Sequence, residues 1–174
     1  MLQTLWVRHG ESVWNRLGRM QGQTPWPPLT ATGLQQAHAV AQRLATGERP
    51  HRLLSSDLCR AVQTASIIAK RLNLQVETTP LLRERCWGIY EGKPVRDGHL
   101  SEAKMCAYQR VPQGESREDV ADRVRELFAD IAEAGPIIVV THGDVIREAV
   151  ALLSEGSAHA LSIRNGCVVP LLVP

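Results

Sequence analysis

No run of five or more lysines and arginines occurs in this 174-residue chain, and its formal net charge is only +2. A surface that binds nucleic acid through bulk charge is therefore not expected, and any basic chemistry must be local. No apolar stretch is long enough to cross a bilayer, which argues against a membrane protein. The start lacks the basic segment and apolar core of a secretory leader, because Arg8 and His9 interrupt the only early apolar stretch. The four cysteines, Cys59, Cys86, Cys106 and Cys167, form no CxxC pair and stand too far apart for a zinc framework or a disulfide staple. A cytoplasmic location follows as the expectation. Internal repeats and low-complexity linkers are missing too. What is there is ordinary for a globular chain, 44% hydrophobic and 22% charged, and its length suits one domain over residues 1–174 with a real core.

Strand and helix patterns alternate. Leu2 to Val7 is a short apolar run that reads as a first strand. "TATGLQQAHAVAQRLATG" opens with Thr30 as a cap, carries Leu34, Ala37, Ala41, Leu44 and Ala45 at helical spacing, and stops at Gly47. "RLLSS" reads as a buried strand. Asp57 is placed to cap the next helix, whose apolar face runs Leu58, Ala61, Val62, Ala65, Ile68, Ala69 and Leu72. A strand is expected at Gln75–Glu77. Between Pro80 and Gly114 the pattern breaks up and reads as a short cap or lid. Ser116 with Asp119 resembles a capping box ahead of a helix with the stripe Val120, Val124, Leu127, Phe128 and Ile131. "PIIVVTHGD" has the unbroken apolar character of a strand buried on both faces, with a helix from about Val145 to Leu153 behind it. "ALSIRNGCVVPLLV" reads as a hairpin turning at Asn165-Gly166, with Pro170 marking an edge strand. The alternation predicts an α/β fold of three layers, a doubly wound, mostly parallel sheet with helices on both faces.

Two of these strands empty into "RHG" and "THG", and the carboxyl ends of strands are where open α/β sheets place ligands. Phosphate chemistry would use what stands there. Arginine's fork of donors matches phosphate oxygens, and Arg8 and Arg60 both sit at strand–helix junctions. One charge pair at about 4 Å is worth roughly 4 kcal/mol at an effective dielectric near 20, so several cations form a clamp where one would not. His9, beside Arg8, is a candidate nucleophile, kept neutral by the neighbouring cations. His142 is a candidate donor to a moving phosphoryl group.

The stretches "RHGESVWN" (8–15), "SSDLCRAVQTA" (55–65), "LRERCWGIYEG" (82–92), "GES" (114–116) and "VVTHGD" (139–144) resemble the histidine phosphatase superfamily, in its phosphoglycerate-mutase-like branch. The likeness is collinear over nearly the whole chain, and nearest to small phosphatases of the α-ribazole or broad-specificity type. It implies His9 as the phosphorylated nucleophile and Arg8, Arg60 and His142 as the rest of the phosphate pocket. It also implies Glu84 as the acid that protonates the leaving oxygen and later activates water. Asn15, Gln21, Gly22 and Gly143 are implied as pocket residues. The scheme needs no metal and no cofactor.

Other readings stand beside this one. Glu11, Glu91 and Glu115 compete with Glu84 for the acid's role. Trp14, Trp26 and Trp87 fall in rim segments and serve either substrate or core. Cys59 is expected to be a buried, inert thiol, and His38, His51, His99 and His159 to be surface or packing residues. Family mutases carry a long insertion between the "EG" and "GES" segments; here Gly92 to Gly114 spans 114 minus 92, or 22 positions, which favours a phosphatase. Lys93, Arg96, Lys104 and Arg110 lie in it, leaving room for an acidic substrate tail. The expected function is a phosphomonoesterase acting on a small phosphorylated metabolite. The alternatives are a phosphoglycerate-type mutase, a catalytically weak phospho-ligand binding module, and a metal hydrolase built on His9, His142 and Glu84. Homodimer formation is left open by the sequence.

Overall fold

The computed structural model describes residues 2–47, 50–95, 109–131, 135–154 and 161–173. β1 (Leu2–Arg8) runs into a short turn of helix, α1 (Val13–Arg16), and then α2 (Ala31–Leu44). β2 (Arg52–Ser56), α3 (Cys59–Leu72) and β3 (Val76–Thr79) follow, with single 3-10 turns at Pro80–Leu82 and Gly88–Tyr90. The chain ends through α4 (Arg117–Ile131), β4 (Ile137–Thr141), α5 (Gly143–Leu153) and β5 (Val168–Val173).

The strands lie in the order β3-β2-β4-β1-β5, parallel except where β5 pairs antiparallel with β1. β4 is the central strand and is buried throughout, so both of its faces must meet apolar neighbours. Ile137 and Val139 point into a core with Trp6 of β1, Val120, Val124, Leu127 and Ile131 of α4, and Val145, Ile146 and Ala149 of α5. Ile138 and Val140 point the other way, against Val7, Val40, Ala41 and Leu44 of α2, and Ala61, Ala65 and Ile68 of α3. The result is three layers with helices on both faces of the sheet. Each fully buried Val, Leu or Ile side chain contributes roughly 1.5–3 kcal/mol.

Thr30 caps α2 by accepting from the Gly33 amide at 3.0 Å, and Ser116 and Asp119 form the reciprocal box ahead of α4 at 3.2 and 2.7 Å. Pro170 sits on the outermost strand, opposite Leu5. β3 occupies Val76–Thr79 rather than Gln75–Glu77, and α5 begins two residues earlier than expected.

Three sequence readings are corrected. Asp57 does not cap α3. Its carboxylate is held by Arg83 through a two-point ion pair, and α3 starts instead with the Cys59 amide donating to the Pro25 carbonyl at 3.0 Å. Asn165 and Gly166 do turn the chain, with Gly166 at φ +70, but the described residues ahead of the turn, 161–164, form no strand, and β5 takes β1 as its partner instead. The buried stripe of α2 is Gly33, Ala37, Val40, Ala41 and Leu44, which leaves Leu34 and Ala45 outside. The helix is rolled toward Gly33 because a Cβ there would lie 2.0 Å from the Glu11 carbonyl oxygen, and one on Gly10 would lie 2.3 Å from the Gly33 oxygen. Only two glycines let the first turn of α2 press on the loop after β1.

Of the expected cap at 80–114, residues 80–95 and 109–114 are described. The two pieces are stitched together by Ile89 N–H to Pro112 O (3.2 Å) and Glu115 N–H to Cys86 O (2.9 Å). Arg96, His99, Lys104, Cys106 and His159 lie outside the described residues.

Candidate active site

Arg8 closes the parallel ladder opposite Thr141, and the His9 amide extends it by donating to the Thr141 carbonyl at 3.0 Å. The residues after these two strand ends therefore emerge side by side. His9 and His142 lie with ring centroids 5.0 Å apart and planes inclined at 61°. Both are buried.

The ring of His9 is oriented by its own turn. Nδ1 lies 2.7 Å from the Gly10 carbonyl, which can only accept, so Nδ1 carries the proton and Nε2 keeps its lone pair. Burial, followed by the charges of Arg60 and Arg8, holds His9 well below the usual histidine range. The imidazole is thus neutral, with Nε2 the nitrogen open to a ligand. His142 Nε2 is 2.9 Å from Ser56 Oγ, and its Nδ1 is a buried nitrogen without a partner. Burial and then Arg60, His9 and Arg8 depress its pKa as well.

Arg60, on the first turn of α3, is fully buried and donates from Nη2 to Gly22 O at 2.7 Å and from Nη1 to Thr24 O at 3.0 Å. Burial lowers its pKa to about 10, which leaves it a cation at neutral pH. Arg8 donates from Nη1 to the Ile163 carbonyl. The Nε of each arginine is buried and unpartnered, as is Nδ1 of His142. Three polar nitrogens buried without partners in one neighbourhood are costly unless a polar ligand takes them up.

Arg8, His9, Asn15, Gln21, Gly22, Arg60, Glu84 and Gly143 all line one cavity of about 330 Å³; His142 is not among the lining residues but packs its ring against that of His9. Asn15 Oδ1 takes the Ser12 amide (3.1 Å) and Asn165 Nδ2 (3.2 Å), so its own amide group is left for the cavity. Gln21 Oε1 likewise takes the Ser12 hydroxyl at 2.6 Å. Gly143 opens α5, whose positive end points at the same space.

Glu84 is distinguished from its competitors by place. Glu11 receives the Thr30 hydroxyl at 2.6 Å, Glu91 receives Gln23, Trp87 and Thr24, and Glu115 is paired with Arg123. None of the three lines the cavity. Glu84 does, with Oε1 accepting from the Arg85 and Asp144 amides at 3.0 and 3.2 Å. Burial, then the negative charge of Asp144, raises its pKa to about 7, against the pull of the Arg85 amide, Arg8 and Arg60.

Sequence reading missed several neighbours. Ser56 lies inside the quoted "SSDLCR" stretch, and Asp144 closes "THGD", so both were in view without a stated role. Arg19, Met20, Val95 and Arg147 also line the cavity, and only the tertiary structure brings them there. Of the four cations expected for a substrate tail, the two that are described are engaged elsewhere: Arg110 pairs with Asp119, and Lys93 lies over the Tyr90 ring at 5.6 Å. Of the tryptophans, Trp87 lines the cavity with Arg85 stacked on its ring at 4.6 Å, whereas Trp14 and Trp26 pack edge to face on each other, 5.0 Å apart. Cys59 is half-buried rather than buried, and His38 and His51 are exposed. Among the described residues no three His, Cys, Asp or Glu side chains gather as a metal-holding group, and no helix is long and apolar enough to cross a membrane.

Comparison with known proteins gives matches over almost the whole chain. Residues 4–172 match the profile of the Histidine phosphatase superfamily (branch 1). The chain is 37% identical over 179 residues to the Probable phosphoglycerate mutase GpmB of Yersinia pestis, covering 95% of this chain and 82% of that protein. Among solved structures it is similar to a mycobacterial glucosyl-3-phosphoglycerate phosphatase, with TM-score 0.88, 31% identity, and 99% and 93% of the two chains covered. It is also similar to the phosphoserine phosphatase of Entamoeba histolytica, with TM-score 0.84, 27% identity, and 99% and 91% covered.

Proposed function

Because the chain belongs to the histidine phosphatase superfamily (branch 1), we propose that it is a phosphomonoesterase that hydrolyses a small phosphorylated metabolite through a phosphohistidine at His9. The observation that carries this reading is the bare Nε2 of His9, held between Arg8 and Arg60 in the cavity that Glu84 also lines.

The chemistry runs in two balanced steps. Nε2 of His9 gives its lone pair to phosphorus, the bond to the leaving oxygen breaks, and the carboxyl of Glu84 delivers its proton to that oxygen. Water then attacks phosphorus, Glu84 takes back a proton, the N–P bond breaks and inorganic phosphate leaves. Arg8 and Arg60 hold the phosphoryl oxygens, assisted by the amides of Asn15 and Gln21, the backbone at Gly22 and Gly143, and Nδ1 of His142. A pKa of about 7 suits a group that must be acid in one step and base in the next.

The test is rapid mixing with 32P-labelled substrate followed by a quench that preserves phosphohistidine, then peptide mapping. Label on the peptide carrying His9, and none with His9→Ala, is the expected result; a fully active His9→Ala enzyme would overturn the reading. A second reading, phosphoglycerate-type mutase, is favoured by the name of the 37% identical relative. Product analysis separates the two: the phosphatase releases inorganic phosphate, while a mutase returns the phosphoryl group to a second hydroxyl. A binding module would need neither a bare nucleophile nor a carboxyl near neutrality, so the same turnover assay disposes of it.

A further inference from the structure

Glu91 does not line the cavity, yet its carboxylate is among the most heavily used acceptors around it. Oε1 receives the Gln23 amide at 2.9 Å and the Trp87 amide at 3.0 Å, and Oε2 receives the Thr24 hydroxyl at 2.8 Å. It also fills the space left by a missing side chain: Gly22 has φ +50, and a Cβ there would lie 2.0 Å from Glu91 Oε1. The Gln23 amide and the Thr24 hydroxyl are thus turned to Glu91 on one side of the loop. On the other, the carbonyls of Gly22 and Thr24 accept both terminal nitrogens of Arg60.

This makes a three-layer relay of carboxylate, loop and guanidinium. The loop carbonyls can hold Arg60 in one orientation only if the loop itself is fixed, and Glu91 fixes it at two points. Among the described residues Arg60 has no carboxylate within ion-pair distance, and these two carbonyls anchor its guanidinium. With Nη1 and Nη2 spent on the loop, Nε stays buried and unpartnered beside the phosphate hollow. A single oxygen of the same carboxylate ties the backbone next to Gly22 to that of Trp87, and both Gly22 and Trp87 line the cavity.

We infer that Glu91 is a positioning residue for phosphate binding, acting through the Gly22–Thr24 loop to preset the Arg60 guanidinium. The inference rests on the phosphatase reading for its ligand, but its test separates the two. Inorganic phosphate is titrated by calorimetry into the wild-type protein, Glu91→Ala, Arg60→Ala and the double variant, and KM and kcat for p-nitrophenyl phosphate are measured alongside. Phosphate affinity in Glu91→Ala falls about tenfold or more, of the size expected when a clamp shifts by a fraction of an ångström, and KM rises by more than kcat falls. In the Arg60→Ala background the same substitution changes affinity by less than about twofold, because its effect travels through Arg60. Glu91→Gln, which keeps the side chain's length and two acceptor contacts, restores most of the affinity.

An equal loss in both backgrounds, or wild-type phosphate affinity in Glu91→Ala, overturns the inference. Should Glu91→Ala not fold, Glu91→Asp carries the same test, since it keeps the charge and shortens the reach by one methylene. A wild-type protein that binds phosphate but leaves no label on His9 overturns the phosphatase reading and leaves the positioning role of Glu91 to be judged on affinity alone.

Discussion

Ser56 Oγ stands 2.9 Å from His142 Nε2 and itself accepts the Leu58 amide at 3.3 Å, so the end of β2 orients the imidazole that stands at the end of β4. With no other acceptor for its proton among the described residues, the hydroxyl donates to Nε2, which leaves the proton of His142 on Nδ1, the nitrogen that is buried without a partner.

The first prediction follows from that bond. Ser56→Ala lowers kcat by about tenfold, the equivalent of one hydrogen bond of ~1–1.5 kcal/mol, while KM hardly moves. His142→Ala costs on the order of 10²–10³ in kcat, as removal of a donor to a developing charge does. If Ser56 works through His142, the double variant is no slower than His142→Ala, which steady-state kinetics on all three would establish; fully additive losses would refute it.

A second concerns pH. Glu84 has its pKa raised to about 7, so the protonated acid is present below neutrality and is lost as pH rises through 7. His9 is depressed well below the usual histidine range, so its reactive neutral form persists as the solution is acidified past pH 6.5. The kcat/KM for an alkyl phosphomonoester therefore declines on the alkaline side, approaching tenfold per unit above about pH 8. Glu84→Gln lowers the rate and removes that alkaline limb. The loss is smaller for p-nitrophenyl phosphate, whose leaving group needs little protonation; an unchanged alkaline limb in Glu84→Gln would assign it to another group.

Metal removal supplies a third. Protein dialysed exhaustively against EDTA keeps its turnover of p-nitrophenyl phosphate, since nucleophile, acid and charge clamp are all side chains. Activity that vanishes and returns on adding a divalent cation would instead point to hydrolysis through metal-activated water.

The fourth is a stability prediction. Gly33→Ala gains up to about 1 kcal/mol of helix propensity but drives a Cβ to 2.0 Å from the Glu11 carbonyl, a backbone atom with little room to retreat. Overpacking of this kind costs about 1–3 kcal/mol or more, so the clash wins. The thermal midpoint falls at about 2–4 °C per kcal/mol lost, and activity drops with it because the Gly10–Glu11 loop carries His9's hydrogen-bond partner. A midpoint at or above the wild type's, by scanning calorimetry, would show that the loop yields freely.

What the sequence determined by itself was whatever depends on neighbours a few positions away. The unbroken Ile137–Thr141 run is a central strand because both of its faces need apolar cover, and the stripe along Arg117–Ile131 is a core-facing helix because its period matches the turn. Arg8, His9, Arg60 and His142 were legible from residue type and from their places at strand ends and a helix start, whereas Glu84 was singled out only by the family resemblance. The tertiary structure decided everything that rests on competition between distant partners. Asp57 had a local role as a cap open to it and left it for Arg83, and β5 left the local hairpin for β1. Four glutamates were chemically equal as the acid until packing gave Glu11, Glu91 and Glu115 other donors and left Glu84 in the cavity. A side chain's chemistry is written in its identity, but its pKa and its partner are set by burial and by charges brought from elsewhere in the chain.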